Sequence, residues 1–255
     1  MSMLKHNNKV VLVTGGGSGI GREIACTFAR EGANVLIVGR SENKLKETIE
    51  LITNEGGIGQ FRVINIQSAT SVKGLIEEMI NLFSKIDIVC NCAGTVSEIT
   101  RLENVTEQDF DSVVTTNLKG TWLVMKYVLI EMQKAGQGTI LNISSINGIG
   151  GTPSVSIYAA SKAAVNNLTK TAALENAKNS IRINALCPGP VDAPLLSEVM
   201  NQTGITEKNY ETVIPMGRVG SVKEIANSAS WLCSDDASFI TGQIISIDGG
   251  LTAKG

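Results

Sequence analysis

Tyr158 and Lys162 stand four positions apart in SIYAASKAAVNNL, residues 156–168, among small helix-forming residues. In a helix, residues i and i+4 share a face, so the amine can lie beside the phenol. A tyrosine hydroxyl titrates near ~10, too high for efficient proton exchange at neutral pH. A neighbouring ammonium favours the phenolate and lowers that value. Lowering it to about 7 takes roughly 4 kcal/mol of preferential stabilisation. The pair therefore predicts an acid–base group tuned by a cation. Ala159, Ala160, Ala163 and Ala164 keep the adjoining surface low, so a flat cofactor could lie against it. The same spacing also occurs on ordinary helix faces, and the surrounding sequence must decide.

Other routes for proton transfer are poorly supplied. The single histidine, His6, lies in a polar leader, residues 1–8. A Ser-His-Asp triad, a Cys-His pair and a histidine-bound zinc all need a well-placed imidazole. The five cysteines are an odd, scattered set and suggest no disulfide framework. Cys90 and Cys92 would share a strand face and read as small core residues, so no metal is expected.

The elements that must position the pair follow a βαβ rhythm. Apolar strand-like runs fall at 10–14, 34–39, 59–66, 86–91, 138–144, 181–187 and 243–248. Helical patterns lie between them, including a long one over 107–134 and another from the quoted segment to about residue 178. Strands apolar throughout predict an α/β fold: one doubly wound parallel sheet of about seven strands with helices on both faces. Residues 1–255 read as a single domain, because neither linker nor repeat interrupts them. Residues 189–216, rich in Pro, Gly and polar residues, look like an excursion that covers substrate rather than a core element.

Ligands of such sheets bind beyond the carboxyl ends of the strands. The first strand ends in TGGGSGIG, residues 14–21, a G-x-x-x-G-x-G pattern built on Gly15, Gly19 and Gly21. Glycines there let the backbone approach a pyrophosphate at a helix N-terminus. The phosphate loop of nucleoside triphosphatases is excluded, since Arg22 and Glu23 follow where Lys-Ser/Thr is required. The second strand ends in Gly39, Arg40 and Ser41, with an arginine where an NAD site would place an acid. Arg40 suits a 2′-phosphate, so NADP(H) is favoured. The alternative is that Arg40 only ends the strand and Glu42 turns to the ribose of NAD(H).

In order, these markers closely resemble the classical short-chain dehydrogenase/reductase family. They are the glycine turn, Asn91-Cys92-Ala93-Gly94, Asn117 in TTNLKG, NISS ending at Ser145, Tyr158 with Lys162, and PGPV at 188–191. The resemblance spans about residues 9–250. It implies that Ser145, thirteen residues before Tyr158, holds the substrate oxygen. It implies Tyr158 as proton donor and acceptor, Lys162 on the nicotinamide ribose, and Asn117 placing a water between Lys162 and solvent. Cofactor contacts are implied for Thr14, Gly15, Gly17, Ser18, Gly19, Ile20, Gly21, Arg40, Asn65, Ile66, Asn91, Ala93, Gly94, Pro188, Gly189 and Val191. Three positions depart from the family pattern. Cys92 replaces an asparagine, Asn65 an adenine-binding aspartate, and Ala193 a threonine that bonds the carboxamide. The last loses about 1 kcal/mol of hydrogen bonding.

The tail ASFITGQIISIDGG, residues 237–250, is similar to the bacterial branch holding 3-oxoacyl-(acyl carrier protein) reductases, glucose dehydrogenases and alcohol dehydrogenases. That branch implies a homotetramer and a small carbonyl or alcohol substrate, with a 3-oxoacyl thioester among the candidates. A cofactor-binding regulator without turnover would not need Ser145, Tyr158, Lys162 and Asn117 together. A dehydratase or epimerase of the extended branch would carry a longer C-terminal region. The net charge of −2 offers no basic surface for nucleic acid. With no apolar run long enough for a membrane span, the expected location is cytoplasmic.

Overall fold

The computed structural model describes residues 4–253. Seven strands form one wholly parallel sheet: β1 (Val10–Thr14), β2 (Asn34–Gly39), β3 (Ile58–Val63), β4 (Ile88–Asn91), β5 (Gly138–Ile143), β6 (Ile181–Pro188) and, last in the chain, β9 (Ile244–Ile247). Their order is β3-β2-β1-β4-β5-β6-β9, so the winding reverses between β1 and β4. Register places Thr14 beside Asn91 and Asn91 beside Asn142, three polar residues at the carboxyl end of an otherwise apolar sheet.

Alternation along each strand separates two cores. Val11, Val13, Leu141 and Leu186 pack on one face under α1 (Gly19–Arg30) and α2 (Glu42–Asn54). Val10, Leu12, Leu36, Ile140 and Ile183 pack on the other, under α3 (Ala69–Phe83) and α5 (Thr121–Ala135). Each such side chain contributes about 1.5–3 kcal/mol on burial.

Three expectations change. The long helix over 107–134 is α4 (Glu107–Val114), a π-helical turn at Thr115–Gly120, and then α5. Such a turn inserts an extra residue into the helical ladder. The strand expected over 59–66 stops at Val63, because Asn65 Oδ1 accepts from Gln67 N and turns the chain. The excursion over 189–216, read as lying outside the core, carries regular elements of its own. It holds a two-residue strand, β7 (Val191–Asp192), then α7 (Pro194–Thr203) and α8 (Glu207–Val213), and β7 pairs with β8 (Gly220–Ser221). Its supposed breakers are cap signals. Pro194 opens α7, Gly204 ends it at φ 70°, and Thr206 with Asn209 forms the capping box of α8.

The leader is not merely polar either. His6 is buried, its ring 4.5 Å from that of Phe28, and its Nε2 lies 3.2 Å from both Ser230 O and Ser230 Oγ. Its backbone N–H donates to Glu31 O at 2.9 Å, joining residues 4–8 to the end of α1 and to α9 (Val222–Cys233). The apolar Phe28 contact repays burial of one imidazole face, and Ser230 satisfies the nitrogen. Burial lowers the His6 pKa from 6.5, against the opposing field of Glu31. The folded chain thus binds this proton less readily than the unfolded chain. The contribution is complete above about 6.5 and is lost as pH falls below it. Melting temperatures between pH 7.5 and 5.5 should fall more steeply for the wild type than for His6→Gln, and equal slopes would refute this.

Candidate active site

Helix α6 (Ser156–Asn176) follows β5 through a turn in which Ser145 caps a short 3₁₀ segment, Ile146–Gly148. That segment lies tight on α6: a Cβ on Gly148 would fall 2.7 Å from the Lys162 backbone carbon. The close approach brings the Ser145 side chain to Tyr158, near enough for its hydroxyl to favour the phenolate. Ser144 turns away and donates to Lys162 O at 3.1 Å, so the two adjacent serines part company. Lys162 Nζ lies 5.7 Å from the centroid of the Tyr158 ring and donates to Ile143 O at 2.9 Å. Asn166, one turn further, donates to Gly148 O at 3.0 Å and ties the 3₁₀ segment down.

The electrostatics correct the expectation of a phenol acidified by its neighbouring amine. Burial raises the Tyr158 pKa, and the opposing effect is the Ser145 hydroxyl. Burial also pushes the Lys162 amine down to about 8. The physical reason is shared: the helix face that unites them is dry, and a dry face disfavours the charged form of each.

Asn117 sits in the π turn, fully buried. Its Oδ1 accepts from Thr95 N at 2.8 Å, and its Nδ2 donates to Thr95 O at 2.9 Å and Ser161 Oγ at 3.1 Å. Both ends of the amide therefore hold the 94–95 segment against α6. A Cβ on Gly94 would lie 3.4 Å from Lys162 Nζ and 3.5 Å from Asn117 Oδ1. Thr95 and Gly148 escape detection in the sequence, since neither type signals a contact across such a separation.

The glycine turn lies at the carboxyl end of β1, beside the reversal of strand order. Gly15 (φ 67°) and Gly19 (φ 51°) take left-handed backbone, and a Cβ on Gly15 would stand 2.9 Å from the Ala93 backbone. Thr14 Oγ1 accepts from Cys92 N at 3.1 Å and Ala93 N at 3.2 Å, joining the turn to the segment after β4. Arg22 fixes its far side, donating to Gly17 O at 2.7 Å and to Thr48 Oγ1 at 3.0 Å. Ser18 is the N-cap of α1 but makes no side-chain cap bond, which leaves first-turn N–H groups near Ile20 and Gly21 open to an anion. Asn91 donates to Asn142 Oδ1 at 2.9 Å, while its own Oδ1 is buried without a protein partner. Close glycines, open N–H groups and an orphaned acceptor fit a dinucleotide.

The other cofactor candidates surround this turn. Arg40 is exposed at the end of β2, and among the described residues no ion pair engages it. Glu42 turns outward to Lys46 at 2.8 Å rather than toward a ribose. Asn65 is exposed after β3, whereas Ile66 is buried and would be met by a Cβ on Gly120 at 2.7 Å, so any ligand contact falls to its backbone. Pro188 ends β6, Gly189 N donates to Ile247 O at 3.0 Å, and Val191 pairs with Gly220. Cys90 is buried against Cys233, Cys92 lies just past the strand, and all five thiols are free. No group of three metal-ligating side chains occurs among the described residues.

This geometry has known counterparts. A family model described as enoyl-(acyl carrier protein) reductase matches residues 15–252. Two proteins of Thermotoga maritima (strain ATCC 43589 / DSM 3109 / JCM 10099 / NBRC 100826 / MSB8) align along nearly their whole lengths. An uncharacterized oxidoreductase is 40% identical over 98% of this chain and 100% of its own. A 3-oxoacyl-(acyl-carrier-protein) reductase FabG is 37% identical over 97% and 99%. The crystal structure of levodione reductase superposes with a TM-score of 0.95 at 33% identity, covering 98% of this chain and 99% of that one. ElxO with NADP bound gives 0.91 at 34%, covering 97% and 100%. The chain belongs to the classical short-chain dehydrogenase/reductase family, whose members these are, and it is an oxidoreductase of that family.

The Lys162 pKa has a measurable consequence. Between about pH 8 and 10 the unfolded chain holds a proton on this amine that the folded, cofactor-free chain has released. Stability should therefore gain up to ~1.4 kcal/mol per pH unit from this group as pH rises through that window. Chemical denaturation of the wild type and Lys162→Met across the window checks this, with the increment absent from the variant.

Proposed function

We propose that this chain is an NADP(H)-dependent oxidoreductase that interconverts a carbonyl and a secondary alcohol, with Tyr158 as general acid and base. The observation that carries the reading is the Ser145–Tyr158 hydroxyl pair at the carboxyl end of β5, with the Lys162 amine behind it. When bound, the reduced nicotinamide supplies a hydride to the carbonyl carbon. Tyr158 donates its proton to the carbonyl oxygen as charge develops there, and Ser145 donates a hydrogen bond to the same oxygen. Carbonyl, hydride and one proton together make the alcohol. In the opposite direction Tyr158 takes the alcohol proton.

Lys162 is assigned to the nicotinamide ribose, and its positive charge, when present, favours the phenolate. Asn117 is a positioning residue, because its amide keeps Gly94 and Thr95 against Lys162. Asn117 is also assigned to place a water that links Lys162 to solvent. Thr14, Gly15, Gly17, Ser18, Gly19, Ile20 and Gly21 are assigned to the pyrophosphate side and Arg40 to the 2′-phosphate. Asn65 and Ile66 are assigned to the adenine, Asn91, Ala93 and Gly94 to the wall beside the ribose, and Pro188, Gly189 and Val191 to the carboxamide. NADP in the ElxO structure supports the cofactor choice, as does the free Arg40.

A cytoplasmic homotetramer is part of the same reading. No helix among the described residues is long and apolar enough to cross a membrane. Trp122 and Leu174 on α5 and α6, with Phe239 near β9, leave apolar surface available to other subunits. The acyl-carrier relative supports a second substrate reading, a 3-oxoacyl thioester.

Two variants test the assignments. Tyr158→Phe should keep NADPH binding within about threefold and lower carbonyl reduction by at least three orders of magnitude; wild-type turnover would remove the acid–base role. Arg40→Ala should weaken NADPH at least tenfold while changing NADH little, measured by fluorescence titration. Equal losses would make Arg40 structural.

A further inference from the structure

Ser145 is held by the turn it begins. Its Oγ accepts from Asn147 N at 3.1 Å, and Gly148 N donates to Ser145 O at 2.9 Å. With the hydroxyl oxygen engaged by Asn147, its single proton is left for the phenol or for a substrate oxygen. Where that proton points depends on where the turn sits. Upstream, the turn is anchored to strand and helix: Ser144 N donates to Leu186 O at 2.7 Å, and Ser144 Oγ to Lys162 O at 3.1 Å. Downstream, residues 149–153 are all exposed, and Thr152 reaches Asn147 Oδ1 at 2.8 Å from that loop. Among the described residues, Asn166 is the one interior side chain that bonds the Ile146–Gly148 segment, through Nδ2 to Gly148 O at 3.0 Å.

An asparagine is a costly residue for this place. Asn166 is buried on α6, one turn beyond Lys162, where an apolar side chain would favour the helix more and lose no hydration. Its amide is satisfied at both ends. Gly148 O takes the Nδ2 proton, and Oδ1 accepts from Cys187 Sγ, which reaches it at 3.6 Å from β6. An acceptor on one side and a donor on the other fix which way the amide faces. Cys187 is itself wholly buried, immediately before Pro188. A chain of contacts therefore runs from β6 through α6 to the turn: Cys187 to Asn166, Asn166 to Gly148, and Asn147 to the Ser145 hydroxyl.

Taking the acid–base reading above as given, we infer that Asn166 is a positioning residue for it: braced by Cys187, its amide holds the turn that aims the Ser145 hydroxyl at the reacting oxygen. Asn166 acts through Ser145. The groups assigned to the cofactor have other anchors. Thr14 and Arg22 fix the glycine turn, and Ile143 O holds the Lys162 amine. Loss of the amide frees the downstream side of the turn. Ser145 then spends less time where its proton meets the oxygen as charge develops, and the chemical step slows while cofactor affinity stays.

The test is a double-mutant cycle on the full chain with saturating NADPH, with cyclohexanone and ethyl 3-oxobutanoate as carbonyl probes. Asn166→Leu should lower kcat by about tenfold or more and leave the NADPH dissociation constant, from fluorescence titration, within about twofold. Ser145→Ala alone should lower kcat by about 100-fold or more. In the Ser145→Ala background, Asn166→Leu should change kcat by less than about threefold, because no hydroxyl is left to aim. Asn166→Ala, which adds no branched bulk to α6, runs through the same cycle beside it and serves if the leucine variant does not fold. Equal losses in the two backgrounds, an unchanged kcat in Asn166→Leu, or a rise in the NADPH dissociation constant that matches the fall in kcat would overturn the inference and leave the acid–base reading standing. Wild-type kcat in Ser145→Ala would remove the role assigned to Ser145 and the inference with it. Absence of turnover by the wild type with every carbonyl compound would overturn both readings.

Discussion

Dehydration of one helix face governs this site. Tyr158 and Lys162 are pressed against the end of β5 with almost no water, and each pays for it in the stability of its charged form. The phenol is driven up and the amine down, each toward its neutral form relative to the same group in water. What offsets the burial is specific: the Ser145 hydroxyl for one and the Ile143 carbonyl for the other. The pair is therefore poised: the phenol is neutral, and the amine, at about 8, is still mostly protonated near pH 7.

That poise depends on backbone packing elsewhere. Gly148 lets the Ser145 turn touch α6, and Asn166 holds it there. On the other side, the π turn at Thr115–Gly120 carries the Asn117 side chain to the Gly94–Thr95 backbone. Gly120 in that turn leaves room for Ile66, the residue after the β3 exit. The glycine turn and the Tyr158–Lys162 pair are thus one connected structure. Thr14 links β1 to the segment after β4, that segment meets Asn117, and Asn117 reaches α6 through Ser161. The buried Asn91–Asn142–Thr169 chain adds a parallel connection beneath it, from β4 through β5 to α6.

Much of this was legible in the residues themselves. Apolar runs and their spacing determined the parallel sheet, because strands covered on both faces must be hydrophobic throughout. The glycine turn was readable from local backbone geometry and the Tyr158–Lys162 approach from a fixed helical offset, whereas Ser145 was singled out only by the family resemblance. Tertiary structure alone decided the rest. It made helices of the Pro- and Gly-rich excursion, buried His6 against Phe28, and put a π turn where the sequence reads as plain helix. It also reversed the expected shift of the Tyr158 pKa. The reason is common to all of these: sequence spacing gives the distance between two groups on one element, but not how much water the neighbouring elements leave around them.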